Sequence, residues 1–203
     1  MNILVTGAAG FLGRRLIQAL LERGSLTDRH GQLRPIQRIT AFDRDPVQGL
    51  DDPRVQVKGG DITDPQVLAN LIDANTQGIF HLAAVVSSQA ESDFDLGMRV
   101  NFSATQGLLE RARQLGTCPK WVMTSSVAVF GGQLPDTVGD DQVWSPQSSY
   151  GTQKAMNDLL LADYSRRGFV DGRSLRMPTI VVRPGKPNLA ASSFASGIIR
   201  EPL

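Results

Sequence analysis

Tyr150 and Lys154 stand four residues apart, a spacing that sets a phenol and an ammonium on one face of a helix. A free phenol loses its proton near pH ~10, too high for an efficient base at neutral pH. A neighbouring lysine cation favours the phenolate and lowers that value. Such a pair could take and return a proton; taken alone, it could equally be a solvated helix face. Thr124, Ser125 and Ser126 close a strand-like run. In parallel α/β sheets ligands gather beyond the carboxyl ends of the strands. A hydroxyl there can polarise a substrate oxygen while Tyr150 moves the proton, or it can simply cap the strand end.

A second chemical feature lies at the start of the chain. Gly7, Gly10 and Gly13, with Phe11 and Leu12 between them, follow a short apolar run and open a helical pattern. Glycine lets a diphosphate approach the amides of a helix N-terminus, where the partial positive charge favours an anion. Gly13 would let the helix pack tightly on the sheet. The glycines are spaced three apart, unlike the G-x-G-x-x-G form. Asp43 ends the second main strand, where a carboxylate can bind both ribose hydroxyls and repel a 2′-phosphate, which favours NAD. Arg44 follows and could instead hold a 2′-phosphate. Asp61 and Ile62 follow the third strand and could contact adenine or only shape a turn.

These residues need a frame, and the pattern supplies one. Strand-like runs at 3–6, 38–43, 55–58, 78–84 and 120–125 alternate with helical spacing at 11–23, 65–74, 95–115 and 150–166. Asp64 and Pro65 read as N-cap and first helical position. Residues 174–177 and 180–182 are strand-like and interrupted by Pro178. This order predicts an α/β fold with a doubly wound parallel sheet. Residues 24–37 read as an inserted loop, which explains why Asp43 lies more than ~20 residues beyond the glycines. Residues 131–149 read as a long loop of the kind that borders active sites.

The 203 residues carry 21 basic and 20 acidic side chains, a net charge of +1. Charge therefore calls for neither a nucleic-acid nor a membrane partner. One cysteine, Cys118, excludes an internal disulfide, and two histidines with no Cys/His cluster argue against a metal site. The first residues read as a strand rather than a signal peptide. No window reaches the ~18 apolar residues of a membrane span. The expected location is the cytoplasm.

The glycine loop, His81-Leu82-Ala83-Ala84, Asn101, the run Thr124 to Gly131, and Tyr150-x-x-x-Lys154 occur in one order. In that order they resemble the extended short-chain dehydrogenase/reductase family, which includes nucleotide-sugar epimerases and dehydratases. The resemblance implies Tyr150 as acid/base, Lys154 as its electrostatic partner and Ser126 as the substrate-polarising hydroxyl. It implies that Asn101 supports the lysine and a proton path. It further places Leu82, Ala83, Ala84, Thr124 and Pro178 beside the cofactor, with His81 as a strand residue. The tail resembles a branch that oxidises the 2-hydroxyl of a four-carbon sugar acid with NAD. By that resemblance, residues 1–183 form the NAD-binding domain. Residues 184–203 begin a substrate-binding region in which the chain stops, as a truncated form. A sugar acid needs donors for its carboxylate; Ser87, Arg183, Ser193 and Arg200 are the candidates. The implied partner is a small molecule, with a homodimer through two exposed helices. Two alternatives stay open: a nucleotide-sugar epimerase or dehydratase, and a non-catalytic NAD(P)-binding regulatory protein.

Overall fold

The computed structural model describes residues 1–181 together with 195, 196 and 198. Six parallel strands form the sheet: β1 (Asn2–Thr6), β4 (Arg38–Asp43), β5 (Val55–Gly59), β6 (Thr76–His81), β7 (Lys120–Ser126) and β8 (Asp171–Met177). They lie in the order β5-β4-β1-β6-β7-β8. The direction of winding reverses at β1, so the crevice between the ends of β1 and β6 is the topological switch point. The doubly wound parallel sheet expected from the sequence is present.

Alternation within the strands divides the core. Ile3 and Val5 of β1, with Ile39 and Ala41 of β4, pack under α1 (Phe11–Arg23) against Ile17 and Leu20. Leu4, Phe42, Ile79, Trp121 and Met123 face the opposite layer. That layer contains α2 (Pro65–Leu71), α5 (Ala104–Leu115) and α6 (Ser149–Arg166), which contribute Leu71, Leu108, Leu109 and Leu161. Period-2 side-chain direction thus lets one strand feed two cores. The start of α2 is as expected, with Asp64 accepting from Gln66 N (2.8 Å) and Pro65 in its first turn.

Four local expectations are corrected. The stretch 24–37 is a hairpin of β2 (Ser25–Thr27) and β3 (Leu33–Pro35). Its strands are short and mostly exposed, so they carry no apolar alternation. Its turn is held by Asp28, which accepts from His30 N and Gln32 N, both at 2.9 Å. Residues 82–84 lie beyond β6, which ends at His81; Leu82 N is shared between the carbonyl and Oγ1 of Thr6, and Ala83 N donates to that Oγ1, all at 3.2 Å. The helix expected over 95–115 begins earlier and is broken: α3 (Ser87–Ser92), α4 (Phe94–Gly97), a π-helical segment Met98–Ser103, then α5. Asp93 ends α3 and caps α4 by accepting from Leu96 N (2.9 Å). The last strand is continuous from Asp171 to Met177, and residues 178–181 do not extend it. Val182, Arg183, Ser193, Arg200 and most of the region expected at 184–203 lie outside the described residues. Among the described residues no helix is long and apolar enough to cross a membrane.

Candidate active site

The glycine loop fills the gap between the ends of β1 and β6. Gly7 has φ +74°, and a Cβ there would stand 2.8 Å from both Ala83 N and the Leu82 carbonyl carbon. Any side chain would push the two strand ends apart. A Cβ on Gly13 would meet Gly7 O at 2.1 Å, so this glycine presses α1 onto the loop itself rather than onto the sheet. The N-terminal turn of α1 thus opens beside the crevice, which Gly10 and Leu12 border.

The crevice has two halves. One, of about 500 Å³, is bordered by Gly7, Gly10, Asp43, Asp61 and Ile62. The other, of about 770 Å³, is bordered by Leu12, Thr124, Ser126, Tyr150, Lys154 and Pro178. Leu82, Ala84, Val85 and Val86 border both, so the halves form one groove along the carboxyl ends of the strands; Ala83 borders the first and Ser87 the second. Each half has the size of an ordinary ligand pocket. Phe11 and Gly13 border neither, and Asn101 sits behind the wall.

At the far end of the first half, Asp43 is held in place. Its Oδ2 accepts from Ala9 N (2.8 Å) and its Oδ1 from Asp45 N (3.1 Å). Asp61 accepts from the amide and hydroxyl of Thr63, both at 2.8 Å. Those two bonds, with Arg44 and Arg99 nearby, hold its carboxyl below the usual range. Arg99, from the π-helical segment, borders the groove and was not singled out by the sequence.

In the second half, Ser148 caps α6 by accepting from Gly151 N (3.1 Å), and Glu91 accepts from Ser149 N (2.8 Å). Tyr150 follows in the first turn. Burial pushes its phenol up, and the hydrogen-bonding Ser126 hydroxyl opposes that shift. Lys154 Nζ stands 5.6 Å from the centre of the Tyr150 ring and donates to Thr124 O (2.7 Å). In this arrangement the Lys154 ammonium is directed to a strand carbonyl, and the Ser126 hydroxyl is the influence that opposes the rise of the phenol. Lys154 is itself pushed down to about 8 by burial, against the pull of Asp158.

A polar relay runs beneath the groove. Thr6 Oγ1 accepts from the Leu82 and Ala83 amides, so its own proton must go to His81 Nδ1 (2.7 Å). His81 is then the Nε2–H tautomer and donates to Thr105 Oγ1 (2.9 Å), which donates to Asn101 O (2.8 Å). Full burial holds His81 at about 3, a neutral member of β6. The Asn101 side chain accepts from Val85 N (2.8 Å) and donates to Val85 O (3.2 Å) and Gln153 Oε1 (2.8 Å). Its carbonyl also accepts from Asn157 Nδ2 (2.6 Å). Asn101 thus braces α6 through Gln153 and Asn157, which flank Lys154, rather than through the lysine directly. π-helical segments recur at such functional places. Gln153 and Asn157 escaped the sequence reading, although their four-residue spacing inside a helix with a polar buried face was the available signal.

The chain is similar to proteins already known. Residues 3–201 match the family described as NAD dependent epimerase/dehydratase. The chain is 64% identical over 203 residues to D-erythronate dehydrogenase of Cupriavidus necator, and 48% identical over 204 residues to that of Haemophilus influenzae. It spans all of itself but 62% of the length of each of these curated relatives. A solved nucleoside-diphosphate-sugar epimerase from Agrobacterium tumefaciens is 46% identical and superposes with a TM-score of 0.90, over 100% of this chain and 59% of that one.

Proposed function

This chain belongs to the NAD dependent epimerase/dehydratase family, and from that premise we propose that it is the dinucleotide-binding part of an NAD-dependent dehydrogenase oxidising the 2-hydroxyl of a small sugar acid of the D-erythronate type. One observation carries the reading: a single groove joins the glycine loop and Asp43 at one end to Ser126, Tyr150 and Lys154 at the other.

The residues present fit NAD. The Gly7 approach leaves backbone where a Cβ would clash. The α1 amides suit a diphosphate, and the fixed Asp43 carboxylate suits a ribose diol and disfavours a 2′-phosphate. Asp61 and Ile62 would border the adenine. When bound, NAD supplies the hydride acceptor. Ser126 donates a hydrogen bond to the substrate oxygen, and Tyr150, as phenolate, accepts the hydroxyl proton. Lys154 would hold the cofactor's ribose and, beside the Tyr150 ring, would favour the phenolate once its ammonium turns from Thr124 O. Asn101 keeps the lysine's helix in register. Ser87 is assigned to the substrate wall. The substrate carboxylate is assigned to Arg183, at the end of the 1–183 domain, or to Arg200 with Ser193 in the 184–203 region that follows it. The 64% identity to a curated D-erythronate dehydrogenase supports the substrate class.

The test is a panel of four-carbon sugar acids and nucleotide sugars, each offered with NAD or NADP. Reduction of NAD by a sugar acid, with NADP bound more weakly, is the expected result. Conversion of a nucleotide sugar without net NADH would make the protein an epimerase or dehydratase instead. Tighter NADP binding would mean that Arg44 outweighs Asp43. NAD binding with no turnover of any member would favour a regulatory protein.

A further inference from the structure

The end of β7 is gripped at consecutive residues by one helix. Lys154 takes Thr124 O, and Ser125 Oγ donates to Asp158 Oδ2 (2.9 Å). Ser126, on the opposite face of the strand, looks into the groove. Asp158 is the third member of the series 150, 154, 158, and its side chain is only 3% exposed. It receives two further donors from β8: Ser174 Oγ on Oδ1, and Arg176 Nε on Oδ2 (3.3 Å). Ser125 and Arg176 are register partners across the β7–β8 ladder. The carboxylate therefore ties α6, β7 and β8 at one point.

Arg176 extends this tie outward. Its guanidinium carbon lies 4.3 Å from the centre of the Trp144 ring and 5.6 Å from that of Phe130, both within cation–π range. Phe130 follows the short 3-10 turn after β7 (Val127–Val129), and Ser145 N donates to Val129 O (3.0 Å). Trp144 belongs to the 131–148 segment, whose end supplies Gln147 and Ser148 to the wall of the groove. An exposed ion pair would carry little weight. This one has a buried carboxylate at one end and an aromatic clamp at the other.

We propose that Arg176 is a positioning residue: clamped between Trp144 and Asp158, it couples the docking of the 131–148 rim to the strand end that presents Ser126. The inference rests on reading Ser126, Tyr150 and Lys154 as the reacting groups. Small displacements of such groups reduce turnover steeply, whereas the diphosphate end of the groove, built on other elements, is untouched.

The experiment compares Trp144→Leu, Trp144→Phe, Arg176→Leu and Tyr150→Phe, with D-erythronate and NAD as the probes. It reads kcat, both KM values, NAD affinity by calorimetry and the urea midpoint. Trp144→Leu is expected to lower kcat ~10-fold or more, with NAD affinity unchanged. Trp144→Phe, which keeps a ring face, restores most of that loss. Adding Trp144→Leu to Arg176→Leu costs nothing further, because both act through one contact. Parent turnover in Trp144→Leu beside an inactive Tyr150→Phe overturns the clamp alone. Equal losses in Trp144→Leu and Trp144→Phe overturn it too. Parent turnover in Tyr150→Phe overturns the catalytic reading, and with it the route from Arg176 to the chemistry.

Discussion

Lys154 is held where burial disfavours its charge, and at pH 7 it remains a cation because its value is lowered only to about 8. Tyr150 is held where burial disfavours ionisation, so its phenol is neutral at that pH. The free site therefore stores a proton on the tyrosine, and the proposed oxidation of an alcohol requires that proton to leave first. The signs differ for the two groups. Charge on Lys154 is lost as pH rises through about 8, whereas the phenolate gains as pH rises. Tyr150→Phe removes the exchangeable proton and keeps the ring beneath which Lys154 lies. Turnover should fall ~10²-fold or more, the scale of general acid–base catalysis, while calorimetry finds NAD affinity close to that of the parent. A large loss of NAD affinity would instead make the phenol a binding group.

Helix α6 buries a face that is mostly polar: Gln153, Lys154, Asn157 and Asp158 beside Gly151, Ala155 and Leu161. Its first turn is pressed on the turn after β7, since a Cβ on Gly151 would stand 2.2 Å from Ala128 O. Backbone cannot yield there as a flexible side chain would. Gly151→Ala should thus destabilise the fold by ~1–3 kcal/mol, the range of overpacking, and lower kcat more than NAD affinity, because it displaces Tyr150 beside it. Urea unfolding and steady-state kinetics check both parts, and an unchanged midpoint with parent kcat would contradict the contact. What the sequence made legible follows from the range of the interactions. The apolar runs of β1, β4 and β7, the Asp64–Pro65 helix start and the Tyr150–Lys154 face are local patterns, and each is present. The hairpin of β2 and β3 was not legible, because three-residue exposed strands leave no alternation. Nor was the π-helical turn at Asn101, whose carbonyl is drawn to Thr105 within its own helix and to Asn157 on another. Asp158 could be read as the next step after Tyr150 and Lys154. Its partners Ser174 and Arg176 could not, because only the β7–β8 register brings them beside it.

The two cores meet across β1 and β6, where His81 lies fully buried between Thr6 and Thr105 and edge-on to Trp121, 6.0 Å between ring centres. Thr6 already offers its proton to Nδ1, so a protonated ring would set donor against donor. Its value of about 3, against 6.5 for an unburied imidazole, gives the whole molecule an acid sensitivity. With the folded value depressed, the contribution is complete above pH 6.5 and is lost as pH falls toward about 3. Between pH 6.5 and 5, stability should fall with a slope that rises toward ~1.4 kcal/mol per pH unit. The lowered carboxylates Asp52 and Glu110, at about 2, lose their contributions only at lower pH. Urea midpoints at pH 7 and pH 5 test this, and His81→Gln should remove most of the difference; a parent protein with equal midpoints would refute it. Far from this centre, the hairpin of β2 and β3 leaves α1 at Gly24 and returns at Ile36, and Ile36 N donates to Gly24 O (2.8 Å). Its two feet already touch, at the end of the sheet remote from the groove. The inserted residues thus behave as a closed handle rather than a link in the sheet. A dye or affinity tag grafted at exposed His30 and Gly31, leaving Arg29 to donate to Thr117 O (3.0 Å), would ride on the molecule without lengthening any path that sets the groove.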